Sequence, residues 1–226
     1  MMTALLLRQV PLFRSLDDAQ VEALAAVAMR RQYARGRVIV LAEQQGDEFF
    51  AISRGQVKVT LSRADGRQII LALLGPGAVF GELSLLDGKP RSATVTVTED
   101  AELVTVPRAA FLALLRREPK VAVALLGELA ARLRRTDLQI ANMALCNVTH
   151  RVTSTILQLV ADHGVPTAEG LLLERRPTHE ELASMAGTTR ETVTRVLGRL
   201  ERDGYLVSRG RRLLVLREPE DEAQEP

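Results

Sequence analysis

The sequence predicts an α+β chain in three parts: an N-terminal antiparallel β-roll of jelly-roll type, one long helix, and a C-terminal winged helix-turn-helix. Three observations predict it. Short apolar runs of strand type recur between residues 38 and 106, parted by turn signals. A proline-free stretch follows, with apolar residues alternately three and four apart. The last third sets capped helical patterns before two short apolar runs that flank an Arg-Gly-Arg turn. At 226 residues, 46% of them hydrophobic, the chain is long enough for two modest domains with ordinary cores.

Residues 15–35, "SLDDAQVEALAAVAMRRQYAR", open on a serine suited to an N-cap and repeat apolar residues at helical spacing, which predicts one or two short helices. The period then changes. From Val38 to Val106 the runs "VIVLA", "FFAISRGQVKVTLS", "QIILALLGPGAVF", "SATVTVT" and "AELVTV" are divided by "GDE", "RADGR", "GPG" and "DGKP". Many short strands with turns between them predict an antiparallel roll. Helical spacing returns at Ala109 in "AAFLALLRREP" and closes a first domain expected over residues 1–116.

Residues 117–148 are expected to form a dimerisation helix and hinge. Between Val121 and Val148 the only glycine is Gly127, and Leu126, Leu129, Leu133, Thr136, Ile140, Met143 and Asn147 fall on one seam. Such spacing over about four heptads is that of a two-stranded coiled coil. Arg132, Arg134, Arg135 and Asp137 lie off it. The competing reading is an amphipathic helix packed on its own domain. A helix of about 28 residues spans about 42 Å, longer than a small roll is wide, so a homodimer is expected.

Residues 149–218 hold helical patterns at "HRVTSTILQLVADHG", "THEELASMAG" and "TRETVTRVLGRLERDG", then the strand pair "YLVSRG" and "RRLLVL", the order of a winged helix-turn-helix. The acidic residues 219–226 are expected to be a solvated, disordered tail. Thr178 and Glu181 have capping-box spacing, Ala186-Gly187 has the form of a helix C-cap, and the next helix is capped by Thr188 or Thr189. On that helix Val193, Val196, Leu197 and Leu200 share one face, and Arg190, Glu191, Thr194 and Arg195 the other. A solvated Glu191–Arg195 pair would contribute only about 0.2–0.5 kcal/mol and does not account for the location. At the start of the second helix of this motif an arginine meets base edges, and a glutamate accepts from cytosine N4. Thr178, His179, Thr189 and Thr192, with Arg209, Gly210 and Arg211 of the wing, are placed for phosphates. Double-stranded DNA is the expected partner.

The net charge of +2 would not by itself imply nucleic acid, but its distribution is uneven, basic at "RGRRLLVLR" and acidic at "EPEDEAQEP". A single cysteine, Cys146, excludes an internal disulfide and is too few for an iron–sulfur cluster or structural zinc, and three scattered histidines have no metal spacing, so no metal site is expected. Cys146 reads most simply as a small hydrophobe in a seam or core. No stretch approaches the roughly 18 apolar residues of a membrane span, and the N-terminal "MMTALLLRQVPLF" lacks the features of a signal peptide. The expected location is the cytoplasm, away from any membrane. No Gly-rich phosphate loop with Lys-Ser/Thr and no nucleophile–histidine pairing point to an enzyme.

The stretch "FGELSLLDGKPRSATV", residues 80–95, bears on a ligand. Catalysis would need a second acid, a histidine or a metal beside Glu82, and only Asp87 is near. Two readings stay open: a Glu82–Arg91 salt bridge, or an anion pocket. In the second, the Gly81-Glu82-Leu83 backbone turns into a short helix, Arg91 supplies two parallel donors and Ser92 a hydroxyl. A carboxylate would repel a phosphate, so Glu82 would serve a neighbouring hydroxyl such as a ribose 2′-OH.

The segment "TTRETVTRVLGRLERDGYLV" resembles the DNA-reading segment of the cyclic-AMP receptor protein family of bacterial transcription regulators, which includes the fumarate–nitrate regulators. The spacing of Arg190, Glu191 and Arg195 is similar to the cyclic-AMP receptor branch, and the resemblance extends over nearly the whole chain. It implies that these three residues read a TGTGA-like half-site, twice in a palindrome, and that RNA polymerase is a further partner. Residues 80–95 resemble the phosphate-binding cassette of cyclic-nucleotide-binding domains, with Gly81 and Glu82 on the sugar and Arg91 and Ser92 on the cyclic phosphate. The loop between Glu82 and Arg91 is one residue shorter than in the best-known bacterial member. Leu71 and Leu73 would line the pocket. Where the family places a Thr-Ser pair at the base, this chain has Thr136-Asp137, an anion in place of a neutral hydroxyl. The resemblance implies no cofactor, but cyclic AMP as an allosteric ligand. Cyclic GMP, another ligand or none remain open, as do a ligand-independent regulator and a nucleotide-sensing subunit that binds no DNA.

Overall fold

The computed structural model describes residues 2–62 and 68–216. In order, the first part contains α1 (Met2–Arg8), a 3-10 turn at Pro11–Phe13, α2 (Asp18–Val27), β1 (Met29–Tyr33), β2 (Val38–Val40), β3 (Glu48–Ser62), β4 (Gln68–Leu74), β5 (Val79–Phe80), α3 (Glu82–Asp87), β6 (Thr94–Pro107), α4 (Arg108–Arg117) and the long α5 (Pro119–Leu145). Two compact units part between Arg134 and Arg135, inside α5.

The first unit is an antiparallel sheet in the order β1-β6-β3-β4, with β2 on β6 and β5 on β3. Its frame is the pairing of β3 with β6, 15 and 14 residues long, from Glu48 opposite Pro107 to Thr60 opposite Thr94. The register shifts near Gly55, whose φ of +84° and whose approach to Asp100, with a Cβ placed 2.3 Å from the carbonyl oxygen, admit only glycine. One core cluster centres on Phe49, stacked on Phe111 at 4.2 Å and edge-on to Phe13 at 6.1 Å. A second core cluster contains Ile52, Val57, Val97 and Leu103.

Two sequence expectations fail here. The first N-cap is Asp17 rather than Ser15: its carboxylate accepts from Gln20 N at 2.8 Å, and the Gln20 side chain accepts from Asp17 N at 2.9 Å. Residues 29–33, expected to continue the helix, form β1, paired from Met29 opposite Thr105 to Tyr33 opposite Ala101. The ladder with β6 outweighs the local helical period. The "RADGR" turn lies outside the described residues.

On α5, Val121 and Leu125 are buried and Leu129 packs against the same core. Leu126, Leu133, Ile140 and Met143 are 65%, 62%, 60% and 42% exposed. The helix therefore packs on its own domain through its first turns and leaves a row of apolar side chains open. It ends at Leu145, and the Asn147 side chain accepts from His150 N at 2.9 Å, so Asn147 caps the next helix instead of extending the seam.

The second unit continues with α6 (Val148–His163), β7 (Val165–Pro166), β8 (Leu171–Leu173), α7 (His179–Ala186), α8 (Arg190–Arg202), β9 (Leu206–Arg209) and β10 (Arg212–Val215). Its sheet runs β7-β8-β10-β9. The hairpin expected from sequence is joined by β8, a three-residue strand too short to be read from its period. Residues 217–218 of the expected DNA-binding domain and the expected tail at 219–226 lie outside the described residues. Among the described residues no helix is long and apolar enough to cross a membrane, and no group of three His, Cys, Asp or Glu is placed to hold a metal ion.

Candidate functional sites

In the roll, Gly81 adopts φ +85° and caps α3, which turns the chain from β5 into that helix. A Cβ there would lie 2.7 Å from Arg91 Nη1. Arg91 is 6% exposed: Nη1 donates to Gly81 O at 2.6 Å and Ser84 Oγ at 2.9 Å, and Nη2 donates to Glu48 O at 2.7 Å. Its guanidinium carbon sits 5.7 Å from the Phe50 ring centroid. Among the described residues these bonds use three of the five N–H donors of an arginine and leave one on Nε and one on Nη2. Gly46 is also required, because a Cβ there would fall 1.9 Å from Arg91 Nε. Ser92 and Leu83 are exposed, Leu71 is half-buried and Leu73 buried.

Glu82 is 1% exposed and does not pair with Arg91. Its Oε1 accepts from Arg132 Nη1 at 2.9 Å, and Arg132 also donates to Val79 O at 2.5 Å and Glu128 Oε1 at 3.1 Å. Among the described residues its Oε2 is buried without a hydrogen-bond partner. Arg132 is the residue that sequence reasoning missed. Its i,i+4 spacing to Glu128 marks only a surface ion pair, and the reach to Glu82 exists only once α5 lies against the roll. Burial raises the Glu82 carboxyl above its ordinary 4.5, with Arg132 opposing. The native chain thus holds this proton more tightly than the unfolded chain does. The stability this contributes is full below pH 4.5 and is lost as pH rises through the raised value. Glu82→Gln is accordingly expected to raise the unfolding temperature of the ligand-free chain at neutral pH, with the gain shrinking as pH falls toward 4.5; an equal gain at both pH values would refute the burial effect. Thr136 and Asp137, both exposed, stand on α5 beyond Arg134, in the second unit.

In the second unit Thr178 caps α7: its hydroxyl accepts from Glu181 N at 3.2 Å, and Glu181 Oε2 accepts from Thr178 N at 2.8 Å, a reciprocal capping box. Gly187 ends α7 at φ +61°. Thr189, not Thr188, caps α8 by accepting from Thr192 N at 3.3 Å, with the Thr192 hydroxyl 3.2 Å away. The three threonine hydroxyls are therefore engaged in the caps. Val193, Val196, Leu197 and Leu200 are buried, while Arg190, Glu191, Thr194 and Arg195 face solvent. The Glu191 carboxyl is held low by its own backbone N–H and then by the Thr189 hydroxyl, which keeps it an acceptor. Gly210, at φ +62°, turns the wing between exposed Arg209 and Arg211. Arg176 fastens that turn, with N donating to Arg211 O at 2.7 Å and Nε to Gly210 O at 3.3 Å.

The roll and the winged helix-turn-helix define a transcription regulator with a nucleotide-binding and a DNA-binding domain. Residues 30–118 match the cyclic nucleotide-binding domain family, and residues 150–221 match the Crp-like helix-turn-helix domain family. The cyclic AMP receptor protein of Thermus thermophilus is 38% identical over 196 residues, 87% of this chain and 88% of that protein. A CRP-like cAMP-activated global transcriptional regulator of Mycobacterium tuberculosis is 30% identical over 93% of this chain and 94% of its own. The crystal structure of the Thermus thermophilus catabolite activator protein aligns with TM-score 0.54 at 37% identity, covering 91% of this chain and 93% of that one. The chain belongs to the cyclic-AMP receptor protein/fumarate–nitrate regulator family of transcription regulators.

Proposed function

We propose that this regulator is a homodimer that binds one cyclic AMP per roll and, with ligand bound, reads a TGTGA-like palindrome to control transcription by RNA polymerase. It acts as a binding protein of the cytoplasm and not as an enzyme. The observation that carries the ligand reading is Glu82 Oε2, a buried acceptor without a partner among the described residues. A buried carboxylate oxygen left bare is unfavourable, and a ligand hydroxyl would satisfy it. The remaining Nε–H and Nη2–H of Arg91 suit a phosphate oxygen, and Ser92, which is exposed, would add its hydroxyl. Anchored by Glu48 and Ser84, Arg91 needs little reorganisation to receive an anion.

Glu82 also connects the site to α5, because Arg132 on that helix holds its other oxygen. A ligand hydroxyl on Oε2 redistributes the charge that Arg132 faces, which biases the long helix. Such a ligand shifts the regulator only by its differential affinity for two arrangements. The exposed row of Leu126, Leu133, Ile140 and Met143 supports pairing with a second copy. Thr136 would meet the base, and Asp137 in the second place would set which nucleotide is accepted.

The test combines sedimentation with DNA mobility shift. The chain is expected to sediment as a dimer and to shift a TGTGA-type palindrome at least ~10-fold more tightly with saturating cyclic AMP than without, the scale of a ~1.4 kcal/mol coupling. Unchanged affinity would refute the gating, and a monomer that shifts DNA would refute the seam.

A further inference from the structure

His179 is the first residue of α7, and its Nδ1 lies 2.7 Å from the hydroxyl of Thr194, on the exposed face of α8 beside Arg195. That hydroxyl donates to Arg190 O at 3.0 Å. A threonine hydroxyl has one proton. With that proton directed to Arg190 O, the hydrogen between the ring and Thr194 belongs to the imidazole, and Nδ1 is its donor. In the neutral ring Nε2 is then a lone-pair acceptor, which repels a phosphate; in the imidazolium it is a charged donor, which binds one. The contact to Thr194 is the same in both forms, so the ring changes what it offers DNA without disturbing α8.

We propose that His179 takes up a proton when the winged helix-turn-helix closes on DNA and presents it from Nε2 to a backbone phosphate, so that DNA affinity is linked to pH by up to one proton per subunit. This rests on the DNA-reading function above. In the free chain partial burial first, and then Arg176 before α7 and Arg190 on α8, hold the imidazole below its ordinary 6.5, while Glu201 opposes them. A phosphate adds negative charge at this cluster and raises the bound-state value. Affinity is therefore highest below both values, falls as pH rises from the free-state to the bound-state value, and is level above it. The ring thus gives the sequence-independent part of binding a dependence on pH that a lysine or arginine would lack.

The experiment measures affinity of the full chain with cyclic AMP, for a TGTGA-type palindrome and a scrambled duplex, from about pH 5.5 to 8.5 at fixed ionic strength. Calorimetry in buffers of different ionisation heat counts the protons taken up. His179→Asn is the matched variant, since its Nδ2 can donate to Thr194 in place of Nδ1 but does not titrate. Wild type is expected to tighten on both duplexes as pH falls, by at most ~10-fold per pH unit for each subunit, with net proton uptake. H179N should lose that share of the slope and of the uptake, and His179→Arg should bind tightly with the same flattened profile. Equal slopes for wild type and H179N would overturn the linkage while leaving the DNA-reading function in place. A wild type that shifts neither duplex at any pH would overturn both.

Discussion

Arg91→Ala is expected to remove measurable cyclic AMP binding, and Arg91→Lys to lower affinity by about 10- to 150-fold, the loss of one hydrogen bond to a charged group at ~1.5–3 kcal/mol. The lysine variant is the sharper probe. Alanine at this position also strips a donor from Gly81 O, Ser84 Oγ and Glu48 O, so it loosens the turn into α3 and is expected to unfold at a lower temperature. Lysine keeps the charge and much of the reach but has no fork, which separates recognition of the phosphate from support of the loop. Calorimetric titration with cyclic AMP and cyclic GMP, paired with thermal unfolding, reads both effects. A lysine variant that binds like wild type would refute the role assigned to Arg91, and a preference for cyclic GMP in the wild type would move the ligand assignment onto Asp137.

Much of this architecture was legible because each part writes a different period. Strand-length runs between turn residues marked the roll, and the opposed faces of 190–202 marked α8 with its four buried residues. Local signals misled where pairing partners are distant in sequence. The helical spacing across 29–33 could not reveal a ladder to residues 101–105. At Asn147 the seam spacing continued past the end of α5 to a residue whose side chain caps the next helix. Within the ligand stretch, the charge argument gave Glu82 and Arg91 separate tasks; in the structure the ion-pair partner of Glu82 is Arg132. Arg132 is 50 residues from Glu82, and no pattern within a window records such a pair.

Arg190→Ala is expected to lower affinity for the palindrome by about 2–6 kcal/mol, at least ~30-fold, since a bidentate arginine–guanine pair is worth ~1–3 kcal/mol and the proposed dimer would make two. Affinity for a scrambled duplex should change far less, because phosphate contacts dominate there. That contrast follows from the geometry of α8: Arg190, Glu191 and Arg195 are solvent-facing, whereas the hydroxyls of Thr178, Thr189 and Thr192 are engaged in helix caps. Threonine substitutions at the caps should therefore weaken binding through α7 and α8 themselves, with matching losses in thermal stability, while Arg190→Ala should leave the unfolding temperature unchanged. Glu191→Gln adds a directional check. The ionised carboxylate only accepts, so an amide that also donates is expected to relax discrimination at the cytosine position rather than abolish binding. Equal losses on palindromic and scrambled DNA for Arg190→Ala would show that this arginine serves the backbone, and would transfer base reading to other residues of α8.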